Sequence, residues 1–243
     1  MDDFTLCSQK KFMKRIVPTF VKNYLKSKIG ESVDVNKFQS LSFSQEGEDL
    51  ILDRYFSGKK NGTYIDVGAH HPQRFSNTYR FYLNGWQGIN IDAMPGSMQL
   101  FNELRPEDIN IEQAIGSQKG KLDYYQFNEP AINTFDPIEA DQIIKNGIYQ
   151  LNQIIKLTVV PLSEILAKHQ IFKQVDFMNI DVEGLDLEVL KGCDWDTFHP
   201  KIIAVEIRDF NINNPNESYT YTFLISKGYK LFAKTFNTVM FCK

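Results

Sequence analysis

The stretch Thr63-Tyr64-Ile65-Asp66-Val67-Gly68-Ala69-His70-His71-Pro72 decides the architecture. Thr63 to Val67 reads as a buried strand, and it stops at a glycine. A glycine directly after a strand lets a ligand approach the backbone closely. The helix expected next, Asn77 to Leu83, presents amide donors and a positive dipole end to the same place. Downstream the pattern repeats. Gly88 to Asp92 reads as a strand, Gly96 to Leu104 as a helix and Ile109 to Ile115 as a third strand. Leu157 to Val160 is short and apolar, and Pro161-Leu162-Ser163-Glu164 starts a helix with proline in its first turn. Val175 to Ile180 and Lys201 to Ile207 read as further strands, with helices over Leu185 to Lys191 and Glu217 to Lys227. Tyr229 to Thr235 and Thr238 to Cys242, joined through Phe236 and Asn237, read as a closing β-hairpin. Upstream, Ser44 is the expected cap of a helix through Asp49, Leu50, Ile51 and Leu52, with Gly47 an awkward member.

Strands alternating with helices imply an α/β fold, a doubly wound and mostly parallel sheet with helices on both faces. The hairpin adds an antiparallel edge. Such sheets bind ligands beyond the C-terminal ends of their strands. The expected organisation is a basic helical extension over 1–40 and one α/β domain over 41–243. Residues 122–156 are less regular and are expected as a lid-like insertion over the crevice.

The 243 residues, 42% hydrophobic and 23% charged, suffice for one sizeable core. A net charge of −3 gives no basic field directed at nucleic acid. The cysteines, Cys7, Cys193 and Cys242, form no CxxC pair, so neither a disulfide framework nor a zinc site is indicated. A reducing, cytoplasmic setting is expected. No stretch is long and apolar enough for a transmembrane helix, and the N-terminus lacks a signal-peptide core. Lys10, Lys11, Lys14, Arg15, Lys22, Lys26 and Lys28 carry no intervening acid, and Phe12, Ile16, Phe20 and Tyr24 fall at helical spacing, interrupted by Pro18. This segment reads as a helix packed on the domain with a solvated basic face. Docking to an anionic membrane or a partner chain, or a basic patch near a phosphate-bearing substrate, is the alternative. It is also the candidate contact of a homodimer.

The strand ends carry the chemistry. Asp66 and Asp92 close the first two strands, 26 residues apart. The second acid suits the two hydroxyls of a ribose, and the first suits an ammonium group, directly or through water. The window lacks G-x-G-x-x-G, which disfavours a pyrophosphate cofactor, and it lacks the P-loop pattern. A ligand with a ribose, an ammonium group and no phosphate fits, as in S-adenosylmethionine. Against this, a turn or cap role would explain either aspartate alone. The fourth strand ends in Asn179-Ile180-Asp181-Val182-Glu183-Gly184 and the fifth in Glu206-Ile207-Arg208-Asp209. Glu183 also suits the first turn of the next helix. Asp181 and Glu206 can meet across adjacent strands, to share a proton or to hold a divalent metal such as Mg or Mn. Alternatively Arg208 or Lys191 neutralises them. His70 and His71 are candidates for a general base, one facing the crevice and one away, with backbone bonding as the alternative. His169 and His199 read as structural.

These residues resemble the FkbM methyltransferase family. The matching stretches are Ser44-Gln45-Glu46-Gly47-Glu48-Asp49, Tyr64 to Ala69, Ser76-Asn77-Thr78, and Asp181-Val182-Glu183-Gly184 followed by Val189-Leu190-Lys191-Gly192. The resemblance spans roughly residues 41 to 208. It implies a class I methyltransferase fold with a seven-stranded Rossmann-like sheet, and methyl transfer from S-adenosylmethionine, usually to a hydroxyl of a sugar, polyketide or related product. By position it implies that Gln45, Asp66, Gly68 and Asn77 surround the methionine end, that Asp92 takes the ribose, that Gln113 and Ala114 flank the adenine, and that Asp181 sits beneath the sulfonium. The chain departs from the family at Asp92-Ala93, where many members read Glu-Pro, and at His70-His71-Pro72, where a small residue and glycine often stand.

The activity expected is O-methylation of a sugar or nucleotide-linked sugar, such as a surface-polysaccharide precursor. His70, His71 or Glu183 would take the proton, with Asp181 beside them and a metal at Asp181 and Glu206 as an option. The rival readings are an NAD-dependent nucleotide-sugar oxidoreductase and a non-catalytic binding protein on the same fold.

Overall fold

The computed structural model describes residues 20–21, 38–169 and 174–243. Residues 1–41 and 42–243 separate into two compact units. The basic helix expected between Lys10 and Lys28 lies outside the described residues except at Phe20 and Val21. Among the described residues no helix is long and apolar enough to cross a membrane.

The main sheet of the larger unit contains β1 (Thr63–Val67), β2 (Gln87–Asp92), β3 (Ile109–Glu112), β7 (Phe177–Ile180), β8 (Ile202–Glu206), β9 (Lys230–Lys234) and β10 (Thr238–Cys242). Its order is β3-β2-β1-β7-β8-β10-β9. The first five of these strands run parallel, and β10 is antiparallel to both β8 and β9. This is the expected doubly wound sheet with its closing hairpin. The order reverses between β1 and β7, which places a crevice at their C-terminal ends.

Alternation along the strands supplies two cores. Ile65, Val67, Ile89, Ile91, Met178, Ile180, Ile203 and Val205 face Leu162, Val189, Leu190 and Leu224 on one side. These come from helices α5 (Leu162–Lys168), α6 (Asp186–Lys191) and α7 (Tyr219–Ser226). Tyr64, Phe177, Ile202 and Ala204 face Leu52, Phe81 and Trp86 on the other side, from α1 (Glu48–Tyr55), α2 (Tyr79–Leu83) and the turn after it. Burial on both faces explains the near-continuous apolar runs, and each such side chain contributes roughly 1.5–3 kcal/mol.

The second face changes character toward the strand exits. Register aligns Asn110, Asn90, Asp66 and Asn179 across β3, β2, β1 and β7, and Asn90, Asp66 and Asn179 are buried. Asn90 Nδ2 donates to Asn110 Oδ1 at 2.8 Å, and Asn179 Nδ2 donates to Asp66 Oδ1 at 2.9 Å. A polar row thus crosses the sheet one step below the crevice. At the opposite end, Asp176 just before β7 accepts from Lys59 Nζ at 2.7 Å, Lys201 Nζ at 2.6 Å and the Thr63 N–H at 3.1 Å.

Three expectations are corrected. The strand read over Ile109 to Ile115 breaks after Glu112. The Gln113 N–H turns back to the Asp92 carbonyl at 2.9 Å, and β4 (Ala114–Gly116) enters a second sheet. The stretch 122–156, read as less regular, is largely ordered secondary structure. β5 (Gly120–Phe127) and β6 (Leu151–Pro161) pair antiparallel in a sheet of order β4-β6-β5, and α4 (Pro137–Asn146) lies in the connection. Much of β6 is exposed and polar, including Asn152, Gln153, Lys156 and Thr158, so only Leu157 to Val160 looked like a strand. The cap of α1 is Gly47, at φ 88°, rather than Ser44. A left-handed residue cannot lie inside a right-handed helix, so the helix starts after it. Ser44 Oγ still accepts the Asp49 N–H at 3.3 Å.

Candidate active site

The exits of β1, β2, β7 and β8 open on one cavity, to which they deliver Asp66, Asp92, Asp181 and Glu206. Gly68 makes this closeness steric. Its φ is +84°, and an added Cβ would lie 1.7 Å from the Asp181 carbonyl oxygen. Its N–H donates to the Ile91 carbonyl at 2.9 Å, and the Asp181 N–H donates to the Val67 carbonyl at 2.9 Å. The loop after β1 is therefore tied to the exits on both sides.

Asp92 Oδ2 accepts the His70 N–H at 2.9 Å and its Oδ1 accepts the Met94 N–H at 2.8 Å. Burial raises its carboxyl pKa and these bonds oppose the rise. Asp66 is likewise raised by burial, while Thr78 and Asn179 hold its two oxygens, Thr78 Oγ1 at 2.6 Å. Asn77 Nδ2 donates to Asn179 Oδ1 at 2.9 Å, so Asn77 belongs to the same network. Gln45 lines the cavity beside Glu46 and Glu48. Glu46 Oε2 accepts the Asn237 N–H at 3.0 Å, and Glu48 Oε1 accepts Thr235 Oγ1 at 2.8 Å. The loop ahead of α1 is thereby fastened to the β9–β10 turn.

The two histidines part company. His70, with φ 51°, lines the cavity, and its Nε2 is buried with no hydrogen-bond partner among the described residues. Burial, then the charges of Arg74 and His71, lower its pKa and favour the neutral ring. His71 is not among the lining residues. Its Nδ1 accepts the N–H groups of Gln73 at 3.0 Å and Arg74 at 2.9 Å, so it caps a turn instead. Gln113 lines the cavity and donates through Nε2 to the Thr158 carbonyl at 2.6 Å. Ala114 does not line it; this residue packs with Tyr124, Phe135 and Val159 in the core of the second sheet. That sheet and its connections add Tyr124, Asn133 and Phe135 to the cavity wall, which reading the strand ends could not reveal.

Asp181, Glu183 and Glu206 gather at the β7–β8 side, each offering an oxygen within 4.8 Å of the others. Asp181 Oδ1 is buried and has no partner among the described residues. Burial, then the charges of Asp186 and Asp66, push Asp181 well above the usual carboxylate range. Burial and Asp181 do the same to Glu206. Of the two cations considered for neutralising the cluster, Arg208 approaches it. Its Nε donates to Glu206 Oε1 at 3.1 Å, and its terminal nitrogens reach Glu183 and Glu139. Lys191 pairs with Glu188 at 2.6 Å instead. The arrangement can bind a cationic nucleoside and can accept a proton.

Among solved structures, the chain is similar to the FkbM methyltransferase from Methylobacillus flagellatus KT, with 13% identity over 75% of this chain and 44% of that one and a TM-score of 0.46. It is also similar to Aeropyrum pernix fibrillarin in complex with natively bound S-adenosyl-L-methionine, with 11% identity over 76% of this chain and 66% of that one and a TM-score of 0.41. The chain therefore spans less than half of the Methylobacillus protein. No match is found among curated proteins. The sequence pattern of the methyltransferase FkbM domain matches residues 66–231. That match takes in the end of β1, all of β7 and β8 and most of the cavity-lining residues, and it covers well over half of the sequence; the chain belongs to the FkbM methyltransferase family.

Proposed function

We propose that the chain is an S-adenosylmethionine-dependent O-methyltransferase acting on a hydroxyl of a sugar or nucleotide-linked sugar, such as a surface-polysaccharide precursor in the cytoplasm. The observation that carries this reading is the delivery of Asp92, Asp66, Asp181 and Glu206 from four adjacent strand ends into one cavity. Membership of a methyltransferase family sets aside the oxidoreductase alternative.

The residues fit the cofactor. Gly68 leaves the room at the β1–β7 junction that a side chain would fill. Asp92, fixed by two backbone N–H groups, keeps lone pairs for ribose hydroxyls. Asp66, Asn77 and Gln45 would hold the methionine end, and Gln113 the adenine. Bound S-adenosylmethionine supplies an electrophilic methyl group on a sulfonium. The protein's part is to hold the acceptor oxygen in line and to take its proton. Asp181 does the latter. Its buried, unpartnered oxygen and raised pKa suit a general base near neutrality, with Glu206 sharing the proton. His70, neutral and facing the cavity, assists on the β2 side. His71 has no part in the step.

A second reading is favoured by the three carboxylates of Asp181, Glu183 and Glu206. They form an all-oxygen donor set that suits Mg or Mn, which would lower the pKa of a bound hydroxyl. Arg208 competes with such an ion for Glu183 and Glu206.

The test is calorimetry with S-adenosylhomocysteine, followed by mass spectrometry of a sugar-nucleotide pool incubated with methyl-labelled cofactor. Binding and a labelled product are expected, and EDTA treatment separates the two readings. Full turnover in both Asp181→Ala and Glu206→Ala would overturn the site assignment.

A further inference from the structure

Arg105 is fully buried, yet among the described residues it makes no ion pair with a carboxylate. The carboxylates of Asp66 and Asp108 act on its charge only from beyond contact distance, and its Nε is buried without a hydrogen-bond partner among the described residues, so its burial depends on how well the remaining donors are used. Arg105 stands just past α3 (Met98–Leu104), and its own N–H closes that helix on the Phe101 carbonyl at 2.7 Å. Its Nη1 donates to Thr78 Oγ1 at 2.9 Å and to Asn90 Oδ1 at 3.3 Å. Its Nη2 donates to Ser76 Oγ at 2.7 Å and to the Pro72 carbonyl. The rings of Tyr79, Phe101 and Tyr82 surround the guanidinium at 5.2, 5.4 and 5.7 Å.

Every acceptor belongs either to the loop after β1 or to the polar row across the sheet. Thr78 is the joint between them. Its hydroxyl accepts from Arg105 and donates its single O–H to Asp66 Oδ2 at 2.6 Å. Asp66 Oδ1 is held from the other side by Asn179, which Asn77 holds in turn. The chain of bonds runs Arg105, Thr78, Asp66, Asn179, Asn77. We propose that Arg105 is a positioning residue for the cofactor end of the cavity, fixing the Asp66 carboxylate through the Thr78 hydroxyl and pinning the strip from Pro72 to Thr78 that carries Ser76 and Asn77 to the cavity wall. What this positioning serves rests on the reading of the cavity as an S-adenosylmethionine site; the bonds themselves do not.

The test uses Thr78→Val, which removes the hydroxyl at nearly constant volume, Thr78→Ser, which restores it, Arg105→Lys, and the double variant Arg105→Lys/Thr78→Val. Affinity for S-adenosylhomocysteine is measured by calorimetry. The side-chain amide signals of Asn77 and Asn179 are followed by NMR without ligand. Thr78→Val and Arg105→Lys should each weaken binding about tenfold, Thr78→Ser should stay within about threefold of wild type, and the double variant should be no weaker than Arg105→Lys alone, because the two residues act in series. The Asn77 and Asn179 amide signals should move in Thr78→Val and return in Thr78→Ser. Wild-type affinity in Thr78→Val, or losses that add in the double variant, would overturn the proposal. If the wild type binds no S-adenosylhomocysteine, the cofactor reading falls by itself. The amide signals then decide the positioning: movement supports it and unmoved signals refute it. Should Arg105→Lys fail to fold, the two Thr78 variants carry the test.

Discussion

Strand β7 is bracketed by Asp176 and Asp181, and the two ends of the sheet treat these acids in opposite ways. Asp176 meets two lysines and a backbone N–H. Burial works against its ionisation, but the bonds from Lys201 and Lys59 bring its carboxyl below the ordinary value. Asp181 keeps a buried oxygen without a partner among the described residues, and burial with the nearby Asp186 and Asp66 raises its carboxyl. The same residue type in the same strand segment is thus a fastening at one end and an open valence at the other. A fully satisfied buried acid holds structure, whereas an unsatisfied one costs stability and is available to a ligand.

Linkage gives the two ends opposite signatures in pH. Asp176, lowered in the folded state, contributes stability that is present above its unfolded value and lost as the pH falls through its folded value. Asp181, raised, carries no penalty below its unfolded value and costs stability as the pH rises toward its folded value.

The largest effect is expected from Asp181→Asn. Turnover should fall by about 100-fold or more, while Tm at pH 8 holds or rises because a buried charge has been removed. A fall in Tm would mean that Asp181 is a fastening after all, and the contrast would break. Gly68→Ala comes next. Its Cβ cannot fit against the Asp181 carbonyl, and the positive φ adds strain, so a loss of roughly 2 kcal/mol or more and weak cofactor binding are expected in denaturation and calorimetry. Asp176→Asn should lower stability by about 1–2 kcal/mol at pH 7 with turnover unchanged. The gap between variant and wild type should shrink when the melt is repeated below pH 4, and a constant gap would deny the linkage. The smallest effect is expected from His71→Ala, which removes a turn cap for about 1 kcal/mol or less and leaves turnover intact. A large loss of turnover there would return His71 to the chemistry.

Much of this was legible along the chain, for identifiable reasons. Each parallel strand is short and apolar and ends at an acid or glycine, so Asp66, Gly68, Asp92, Asp181 and Glu206 could be placed on one rim before any coordinates. The second sheet was not legible, because much of β6 exposes polar residues and its apolar run, Leu157 to Val160, is short. Ala114 lies off the cavity wall because the chain changes sheets at Gln113, and no local signal marks that step. His70 and His71 could be told apart only by the turn that consumes one ring nitrogen. Arg105 and Asn90 escaped notice, and Thr78 and Asn179 were given no role, because their meaning lies in register. Asn179 and Asp66 are 113 positions apart, and nothing in either neighbourhood announces the other.

The fastening of Glu46 and Glu48 to the β9–β10 turn spans 191 and 187 positions of chain. On the ribosome, the strands that present Asp66, Asp92 and Asp181 emerge well before the segment that locks the Gln45 loop in place. The binding wall is completed only when the hairpin through Cys242 has been made and folded. The same hairpin puts Val239 and Phe241 into one core and Met240 into the other, so a chain that stalls or is clipped before that point lacks part of both cores as well as one side of its cavity.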